Sequence, residues 1–342
     1  MAGSRRVGYA VVGLGHFGEH VVLPGFRDSR KAKLVAVVSG DESKARRLAR
    51  KFGATAAYHY RDLQACLSHP EVEAVYIATN NGTHAEYTVQ AASAGKHVLC
   101  EKPMARDVAE CRQMIDACRA HRVRLMIAYR KFFEPAARDL RRFVASGKLG
   151  PLRVIQSAFS IYLRPGPRVA RWHFDKQLAG GGGLPDVGVY CINTALWLTG
   201  KEPLEAEAFR WTAAPEVFRE VDEHIAFRLN FPDGLVMQAV SSWGAAPMSF
   251  LRVVGEKGYA ALEPAFEYDE ERCLYGRIGN TWFEKKYKVI NELALELDAL
   301  ADCIRRNREP EPNGEVGLRD VAVMQAIYQA AEAGRAVPCG PV

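Results

Sequence analysis

The sequence has none of the features that mark a membrane-spanning, zinc-binding or disulfide-stabilised protein. No apolar run is long enough to cross a bilayer, and the short polar stretch before the first apolar segment does not resemble a signal peptide. The eight cysteines are scattered without a CxxC pair, which argues against a zinc site and a redox dithiol. Together these absences predict a cytoplasmic protein without a metal site or a membrane-bound part.

A basic block interleaved with aromatic residues is also missing, so we expect no nucleic-acid partner. The chain carries 46 lysines and arginines against 40 aspartates and glutamates, a formal net charge of +6 that suits an anionic cofactor. Its 342 residues, 48% of them hydrophobic, are enough for two domains with ordinary cores.

The first motif follows an apolar run near the start of the chain. Residues 7–12 are predicted to form a strand, and Gly13-Leu14-Gly15-His16-Phe17-Gly18 follows at once, before a predicted helix. This is the G-x-G-x-x-G pattern between a strand and a helix, where glycines permit a tight turn and the close approach of a pyrophosphate. The motif predicts a dinucleotide-binding site.

The end of the second predicted strand, residues 34–38, indicates which dinucleotide binds. An NAD site usually places Asp or Glu there to bind the ribose 2′-hydroxyl. Here the strand ends at Ser39 and Gly40, and Lys44 and other cationic residues follow. A small hydroxyl group with cations nearby suits a 2′-phosphate. We therefore expect NADP rather than NAD.

A later strand ends in the tripeptide Glu101-Lys102-Pro103. Because Pro103 biases Lys102 toward an extended conformation, the lysine side chain should project from the end of the strand formed by residues 96–100. Ligands bind at that edge of open α/β sheets. The preceding strand, residues 72–78, ends at the same edge, so Thr79 and Asn81 could reach the cofactor.

Strands and helices alternate as far as residue 128, and the last strand of this part ends at Tyr129-Arg130. The alternation predicts an α/β domain over residues 1–128, a doubly wound parallel sheet of the Rossmann type. Later segments alternate in strand fashion, including a hairpin of residues 226–231 and 235–241. Residues 129–342 are therefore expected to form an α+β domain. It would have a large, mostly antiparallel open sheet and closing helices, one of which could pack back on the first domain.

Four glycines, residues 180–183, precede a predicted helix that carries polar residues. Asp186, Tyr190 and Asn193 follow one another at spacings of four and three, so we expect them to share one face of that helix. A carboxylate, a phenol and an amide behind a glycine-rich loop indicate a substrate site. The alternative is an acidic residue that serves the helix dipole and a tyrosine at the edge of the core.

These motifs together resemble the Gfo/Idh/MocA family of nicotinamide-dependent oxidoreductases. The matching elements are Gly13-x-Gly15-x-x-Gly18, Glu101-Lys102-Pro103 and the glycine-rich loop before Asp186-x-Gly188-x-Tyr190. Within the family the chain looks most like the glucose-fructose oxidoreductase and aldose-aldose oxidoreductase branch. The resemblance implies a Rossmann domain for NADP and a second domain for a sugar substrate and for assembly into a homodimer or homotetramer.

The resemblance also implies roles for individual residues. Lys102 is expected beside the nicotinamide and the reacting carbon, Tyr190 as the acid or base on the oxidised hydroxyl, and Asp186 as the residue that orients the substrate or Lys102. A free phenol titrates near ~10, and a nearby ammonium favours the phenolate. The expected cofactor-binding residues are Gly13, Gly15, His16, Phe17, Gly18, Ser39, Gly40, Lys44, Thr79, Asn81, His84, Glu101, Lys102 and Arg130. The expected substrate-binding residues are Lys102, Arg130, Trp172, His173, Asp186 and Tyr190.

Three positions depart from the family pattern. Exported members have a leader and an N-terminal arm over the cofactor, whereas this chain starts almost at its first strand. The loop at Asn80-Asn81 lacks the Pro-Asn pair that is common in the family. His173 stands where the family's Trp-Arg site has arginine, which argues against a simple copy of glucose as the substrate.

The expected activity is hydride transfer between NADP and a sugar, most simply aldose oxidation at C1 to a lactone or the reverse carbonyl reduction. Two alternatives remain open at this stage. One is a trans-dihydrodiol, xylose or polyol dehydrogenase of the same family. The other is a non-catalytic NADP-binding regulator on the same scaffold.

Overall fold

The computed structural model describes residues 5–166 and 169–340, and these fall into two compact units. The first unit comprises the described residues up to Arg130 together with Asn291–Leu318. The second comprises Lys131–Ile290, apart from the two residues not described, and the described residues from Arg319 onwards. Residues 291–318 therefore belong to the first unit although they lie late in the sequence.

The first unit contains a parallel sheet. Its strands are β1 (Val7–Val12), β2 (Ala32–Ser39), β3 (Ala56–His59), β4 (Ala74–Ile77), β5 (His97–Cys100) and β6 (Leu125–Ile127), in the spatial order β3-β2-β1-β4-β5-β6. Every pairing in the sheet is parallel. The strand order reverses between β1 and β4, and ligands bind at such a reversal in open α/β sheets. This is the doubly wound sheet that the sequence predicts.

The helices of the described chain separate and follow the strands. They are α1 (Leu23–Asp28), α2 (Glu42–Phe52), α3 (Leu63–Leu67), α4 (His84–Ser93), α5 (Val108–Ala120), α6 (Pro135–Ala145), α7 (Lys176–Ala179), α8 (Val189–Thr199), α9 (Glu292–Arg305) and α10 (Gly314–Ala333).

The second unit contains a nine-stranded sheet. Its strands are β7 (Leu152–Tyr162), β8 (Glu205–Trp211), β9 (His224–Asn230), β10 (Val236–Ser242), β11 (Gly244–Gly255), β12 (Gly258–Glu263), β13 (Arg272–Ile278), β14 (Thr281–Tyr287) and β15 (Val337–Pro338). The order is β14-β13-β12-β11-β7-β10-β9-β8-β15, and the pairing of β10 with β7 is parallel while the other pairings are antiparallel. The fold class predicted from the sequence is confirmed.

Two short π-helical turns stand where the sequence predicts the start of an ordinary helix. Gly18–Val22 leads into α1, and Leu184–Gly188 leads into α8. A π-helical turn is wider than an α-helical one, so it rotates the side chains that follow it. Asp186 lies in the second of these turns, whereas Tyr190 and Asn193 lie on α8. The prediction of one regular helical face is therefore wrong in this detail.

No helix in the described part of the chain is long and apolar enough to cross a bilayer. The same residues contain no group of three or more His, Cys, Asp or Glu side chains that could hold a metal ion.

Candidate active site

The three glycines of the first motif have different surroundings. Gly13 has a φ of +106°, and a Cβ there would lie 2.4 Å from the Ala78 carbonyl oxygen. A Cβ on Gly18 would lie 2.2 Å from the Gly13 carbonyl oxygen, so both positions require glycine for packing of the turn. By contrast, a Cβ on Gly15 would meet nothing within 4 Å. The open space at Gly15 leaves room for a pyrophosphate, so the turn fits the dinucleotide that the sequence predicts. His16 is exposed and Phe17 half-buried beside this space.

The last residue of β2 is Ser39 rather than an acidic residue, and the first carboxylate after it, that of Asp41, caps α2. The Ser39 Oγ accepts a hydrogen bond from the Asp41 N–H at 3.2 Å, and the Asp41 carboxylate accepts one from the N–H of Lys44 at the start of α2. The Lys44 ammonium lies 3.0 Å from Glu19, to which Arg47 also donates at 3.1 Å. Although partial burial opposes it, these two cations hold the pKa of Glu19 below its ordinary value. Two cations thus lie on the helix that follows the strand end, where a 2′-phosphate would need them.

The loop after β4 is hydrogen-bonded within itself. The hydroxyls of Thr79 and Thr83 lie 2.8 Å apart, and the Thr83 hydroxyl also donates to the Asn80 carbonyl at 3.0 Å. Asn81 is buried at the next position. At the start of α4, His84 is fully buried and its Nδ1 lies 3.0 Å from the Pro103 carbonyl oxygen. His84 is therefore placed to hold the Glu-Lys-Pro segment through its contact with the Pro103 carbonyl.

The Glu101-Lys102 segment leaves β5 with its backbone tied to the sheet. The Glu101 N–H donates to the Ile77 carbonyl at 3.0 Å. The Glu101 carboxylate accepts hydrogen bonds from the Tyr76 hydroxyl at 2.5 Å and from the Lys102 N–H at 3.2 Å. Burial raises the pKa of Glu101, and the Lys102 ammonium opposes that shift. Lys102 itself is half-buried. A rigid base thus supports a partly exposed ammonium group at the strand end.

Arg130 lies in the interior of the first unit. Its side chain and that of Glu292 on α9 are each 1% exposed, and the guanidinium donates to the Glu292 carboxylate at 2.6 Å. Glu296, one turn further along α9, is also buried, and burial together with the Glu101 charge raises its pKa well above the ordinary value. No motif in the sequence indicated these two glutamates, because they occur in an ordinary amphipathic helix.

In the second unit, the glycine-rich stretch is held firmly, contrary to the flexible loop that its composition suggests. The Asp222 carboxylate accepts hydrogen bonds from the Gly182 N–H at 2.7 Å, the Leu184 N–H at 2.9 Å and the Tyr328 hydroxyl at 2.5 Å. A Cβ on Gly182 would lie 1.9 Å from the Asp222 carbonyl oxygen. The glycines therefore allow the close approach of Asp222, which fixes the turn that precedes Asp186.

Asp186 and Tyr190 each have a partner outside their own helical segment. The Asp186 carboxylate accepts a hydrogen bond from the indole N–H of Trp243 at 2.9 Å, and Trp243 is buried. The Tyr190 hydroxyl lies 3.1 Å from the hydroxyl of Tyr268. Asn193 donates instead to the buried Asp320 at 2.6 Å. Sequence reasoning did not find Trp243 or Tyr268, since neither lies in a motif.

The aromatic residues expected to bind substrate lie close to Trp243. The rings of Trp172 and His173 stack with centroids 3.9 Å apart, and the His173 ring makes an edge contact with Trp243 at 6.1 Å. The His173 Nδ1 lies 2.7 Å from the Ala170 carbonyl oxygen. Both residues are half-buried. The second unit thus connects Trp172 and His173, through Trp243, to Asp186.

The first unit is therefore an α/β domain whose glycine turn fits a dinucleotide, and the second places Asp186 and Tyr190 beside aromatic residues. Residues 7–129 match the model of an oxidoreductase family with an NAD-binding Rossmann fold, and residues 137–261 match the Gfo/Idh/MocA C-terminal domain. The chain belongs to the Gfo/Idh/MocA family of oxidoreductases.

Three proteins illustrate the similarity. A D-xylose 1-dehydrogenase (NADP(+)) of Haloarcula marismortui is 32% identical over 97% of this chain and 92% of its own length. A trans-1,2-dihydrobenzene-1,2-diol dehydrogenase of Mus musculus is 32% identical over 83% of this chain and 84% of its own. The crystal structure of an aldose-aldose oxidoreductase from Caulobacter crescentus, complexed with glycerol, is 35% identical. It superposes with a TM-score of 0.92 over 98% of this chain and 100% of that chain.

Proposed function

We propose that this protein is an NADP-dependent sugar oxidoreductase that oxidises an aldose at C1 to a lactone or runs the reverse carbonyl reduction. The observation that carries the proposal is the Tyr190 phenol, buried and hydrogen-bonded on the same helical segment as an Asp186 carboxylate that Trp243 holds. A phenol and a carboxylate can exchange a proton with a sugar hydroxyl and bind its neighbours. The names of the Haloarcula and Caulobacter relatives support an aldose as the substrate class.

The cofactor of this proposal is NADP, with NAD as the weaker candidate. Gly13, Gly15 and Gly18 would form the turn around the pyrophosphate, and Ser39 with Lys44 would bind the 2′-phosphate. The cations beside Glu19 support this assignment, as does the NADP dependence in the name of the Haloarcula relative. His16, Phe17, Gly40, Thr79, Asn81 and Glu101 remain proposed neighbours of the cofactor.

The bound nicotinamide supplies the hydride acceptor. Tyr190 takes the proton from the substrate hydroxyl, and the Lys102 ammonium favours the phenolate form that can do so. Asp186 orients the substrate, and Trp172 offers an aromatic face to a sugar ring while His173 binds a hydroxyl. Arg130, ion-paired with Glu292 in the interior of the first unit, stays a proposed contact of the cofactor or the substrate.

We also propose that the first unit binds the cofactor, and that the second binds the substrate and forms the contact between subunits of a homodimer or homotetramer. Large apolar side chains are exposed on strands of the second sheet, among them Phe209 and Trp211 on β8 and Trp282 on β14. Phe209 and Trp211 stack with ring centroids 5.7 Å apart, and contiguous exposed apolar patches commonly mark a protein interface. Sedimentation of the purified protein measures the size of the assembly.

The mutational test of this function removes the two proposed catalytic groups. Tyr190→Phe and Lys102→Ala should lower kcat by roughly 10²–10⁴-fold, because each removes proton transfer or the charge that favours it. Both variants should still bind NADP, which quenching of protein fluorescence measures. Full turnover in either variant would contradict the proposed roles.

A spectroscopic test identifies the substrate class and the mode of cofactor use. The purified protein is mixed with a panel of aldoses, first alone, then with NADP and then with NAD, and the absorbance of reduced nicotinamide is followed. A signal without added cofactor means that NADP stays bound, as in a sugar–sugar oxidoreductase. A signal only after NADP is added means a dehydrogenase with exchangeable cofactor.

A second candidate activity is oxidation of a trans-dihydrodiol, which the mouse relative's name supports. Turnover of a trans-dihydrodiol, with none of any aldose, would favour this candidate.

A further inference from the structure

A second phenol meets the Tyr190 hydroxyl. The Tyr268 Oη lies 3.1 Å from the Tyr190 Oη, and either hydroxyl can donate the hydrogen bond. We propose that Tyr268 is a positioning residue that holds the Tyr190 hydroxyl and donates a hydrogen bond to the Tyr190 phenolate. This inference rests on the proposed role of Tyr190 as the proton acceptor.

The ring of Tyr190 has apolar neighbours. Its side chain is 4% exposed, and its ring contacts those of Phe159 on β7 and Phe266 at centroid distances of 5.6 and 5.8 Å. Aromatic edges and faces of this kind do not solvate a negative oxygen, and a buried charge needs a hydrogen-bond donor. The Tyr268 hydroxyl is such a donor, and it lies at the oxygen where the charge forms.

The segment that carries Tyr268 is anchored on both sides. Before it, the Ser249 Oγ accepts hydrogen bonds from the Ala265 N–H at 2.9 Å and the Phe266 N–H at 3.1 Å. After it, the Arg272 guanidinium, which is 1% exposed, donates to the Glu270 carbonyl at 3.2 Å and also to the Glu267 carbonyl. The donor is thus held in place before the reaction, and such preorganised groups are the effective ones in catalysis.

The charged groups around the phenols have identifiable partners. On the segment of Tyr268, the Glu267 carboxylate accepts from the Ser249 hydroxyl, and Arg272 binds backbone carbonyls. On the helical turn before Tyr190, the Asp186 carboxylate accepts from Trp243. On β7, the apolar Phe159 contacts the Tyr190 ring.

In the proposed step, the substrate hydroxyl proton passes to the Tyr190 oxygen, and a bound nicotinamide would accept the hydride. Tyr268 donates its hydrogen bond throughout and transfers no proton, so its effect is on the pH at which Tyr190 can act as the acceptor.

The test is Tyr268→Phe, which removes one oxygen and keeps the ring. A hydrogen bond to a charged group contributes about 1.5 kcal/mol or more, which corresponds to roughly tenfold in equilibrium and about one pH unit. The rising limb of kcat/KM against pH should move to higher pH by about one unit. At pH values on the acid side of that limb, kcat/KM should therefore fall about tenfold. The KM for NADP should stay unchanged. Tyr275→Phe is the matched control, since its hydroxyl bonds to Glu263 at 2.9 Å on another part of the sheet.

A second readout separates this proposal from the proposed function. In protein labelled with ¹³C at the tyrosine ring, the Tyr190 signal, assigned with Tyr190→Phe, is titrated without any substrate. An upward shift of its titration in Tyr268→Phe, absent in Tyr275→Phe, supports the proposal even if no aldose is turned over. An unchanged titration overturns it, whether or not activity falls. Full activity of Tyr190→Phe, in contrast, would overturn the proposed function and leave the hydrogen bond between the phenols measurable.

Discussion

Two glycines of the nucleotide-binding motif have opposite surroundings although they are only two positions apart in the chain. Gly13 has a positive φ and its α-carbon faces the Ala78 carbonyl, whereas the α-carbon of Gly15 faces open space. A side chain at the first position strains the backbone of the turn. A side chain at the second position meets no other atom of the chain within 4 Å and enters only the space that we propose for the cofactor.

We therefore expect different defects from the two alanine variants. Gly13→Ala should lower the free energy of unfolding by about 2 kcal/mol or more, since strain and a backbone clash add. Gly15→Ala should leave it within about 0.5 kcal/mol and weaken NADP binding instead. Chemical denaturation and a cofactor titration measure the two effects. Equal loss of stability in both variants would show that Gly15 also serves the packing of the turn.

At the scale of elements, the turn before α8 depends on a carboxylate from a distant segment. Asp222 binds the N–H groups of Gly182 and Leu184 and the hydroxyl of Tyr328 on α10. These bonds position the turn from which Asp186 and Tyr190 extend. A loop rich in glycine is thereby made rigid by its contacts rather than by its own conformational preference.

Replacing Asp222 by alanine should destabilise the turn before α8. The variant leaves two buried backbone N–H groups without their acceptor, which costs about 1–3 kcal/mol for each group. We therefore expect the free energy of unfolding to fall by about 3 kcal/mol. Faster hydrogen exchange at the amides of Gly182 and Leu184 would locate the defect. Glu207→Ala is the control, because its ion pair with Arg228 lies on the exposed face of the sheet and contributes less than about 1 kcal/mol.

At the scale of the whole molecule, the buried His84 and the half-buried His97 make stability depend on pH. Burial lowers the pKa of His84 from 6.5 to about 4, and burial with the nearby Arg124 does the same for His97. The unfolded chain therefore binds these protons at a higher pH than the folded chain does. The contribution of each histidine to the free energy of unfolding, ~3 kcal/mol, is fully present above pH 6.5 and is lost as the pH falls toward about 4.

His84→Asn isolates one of these contributions. The asparagine amide can take the place of Nδ1 and donate to the Pro103 carbonyl, but it does not titrate. Unfolding free energies measured between pH 7 and about 4 should therefore fall less steeply in this variant than in wild type. His121→Asn, at an exposed position, should keep the wild-type slope. An unchanged slope in His84→Asn would mean that the protonation of this residue does not contribute.

The sequence by itself determined the features that depend on neighbours along the chain. The alternation of strands and helices, the glycine motif and the Glu-Lys-Pro strand end are local patterns, and so the parallel sheet and the family could be predicted from them. The preference for Ser39-Gly40 over an acidic residue is likewise visible in the sequence, because the end of β2 follows directly from its apolar run.

The tertiary structure alone decided which distant side chains meet. Tyr268 is 78 residues from Tyr190, and Glu292 is 162 residues from Arg130. Asp222 lies 38 to 40 residues beyond the amides that it binds. Such pairs follow from the register of the strands and from loops that have no periodicity, so no spacing in the chain indicates them. The sequence thus predicted the groups that we propose to react, and the packing of the chain selected the groups that contact them.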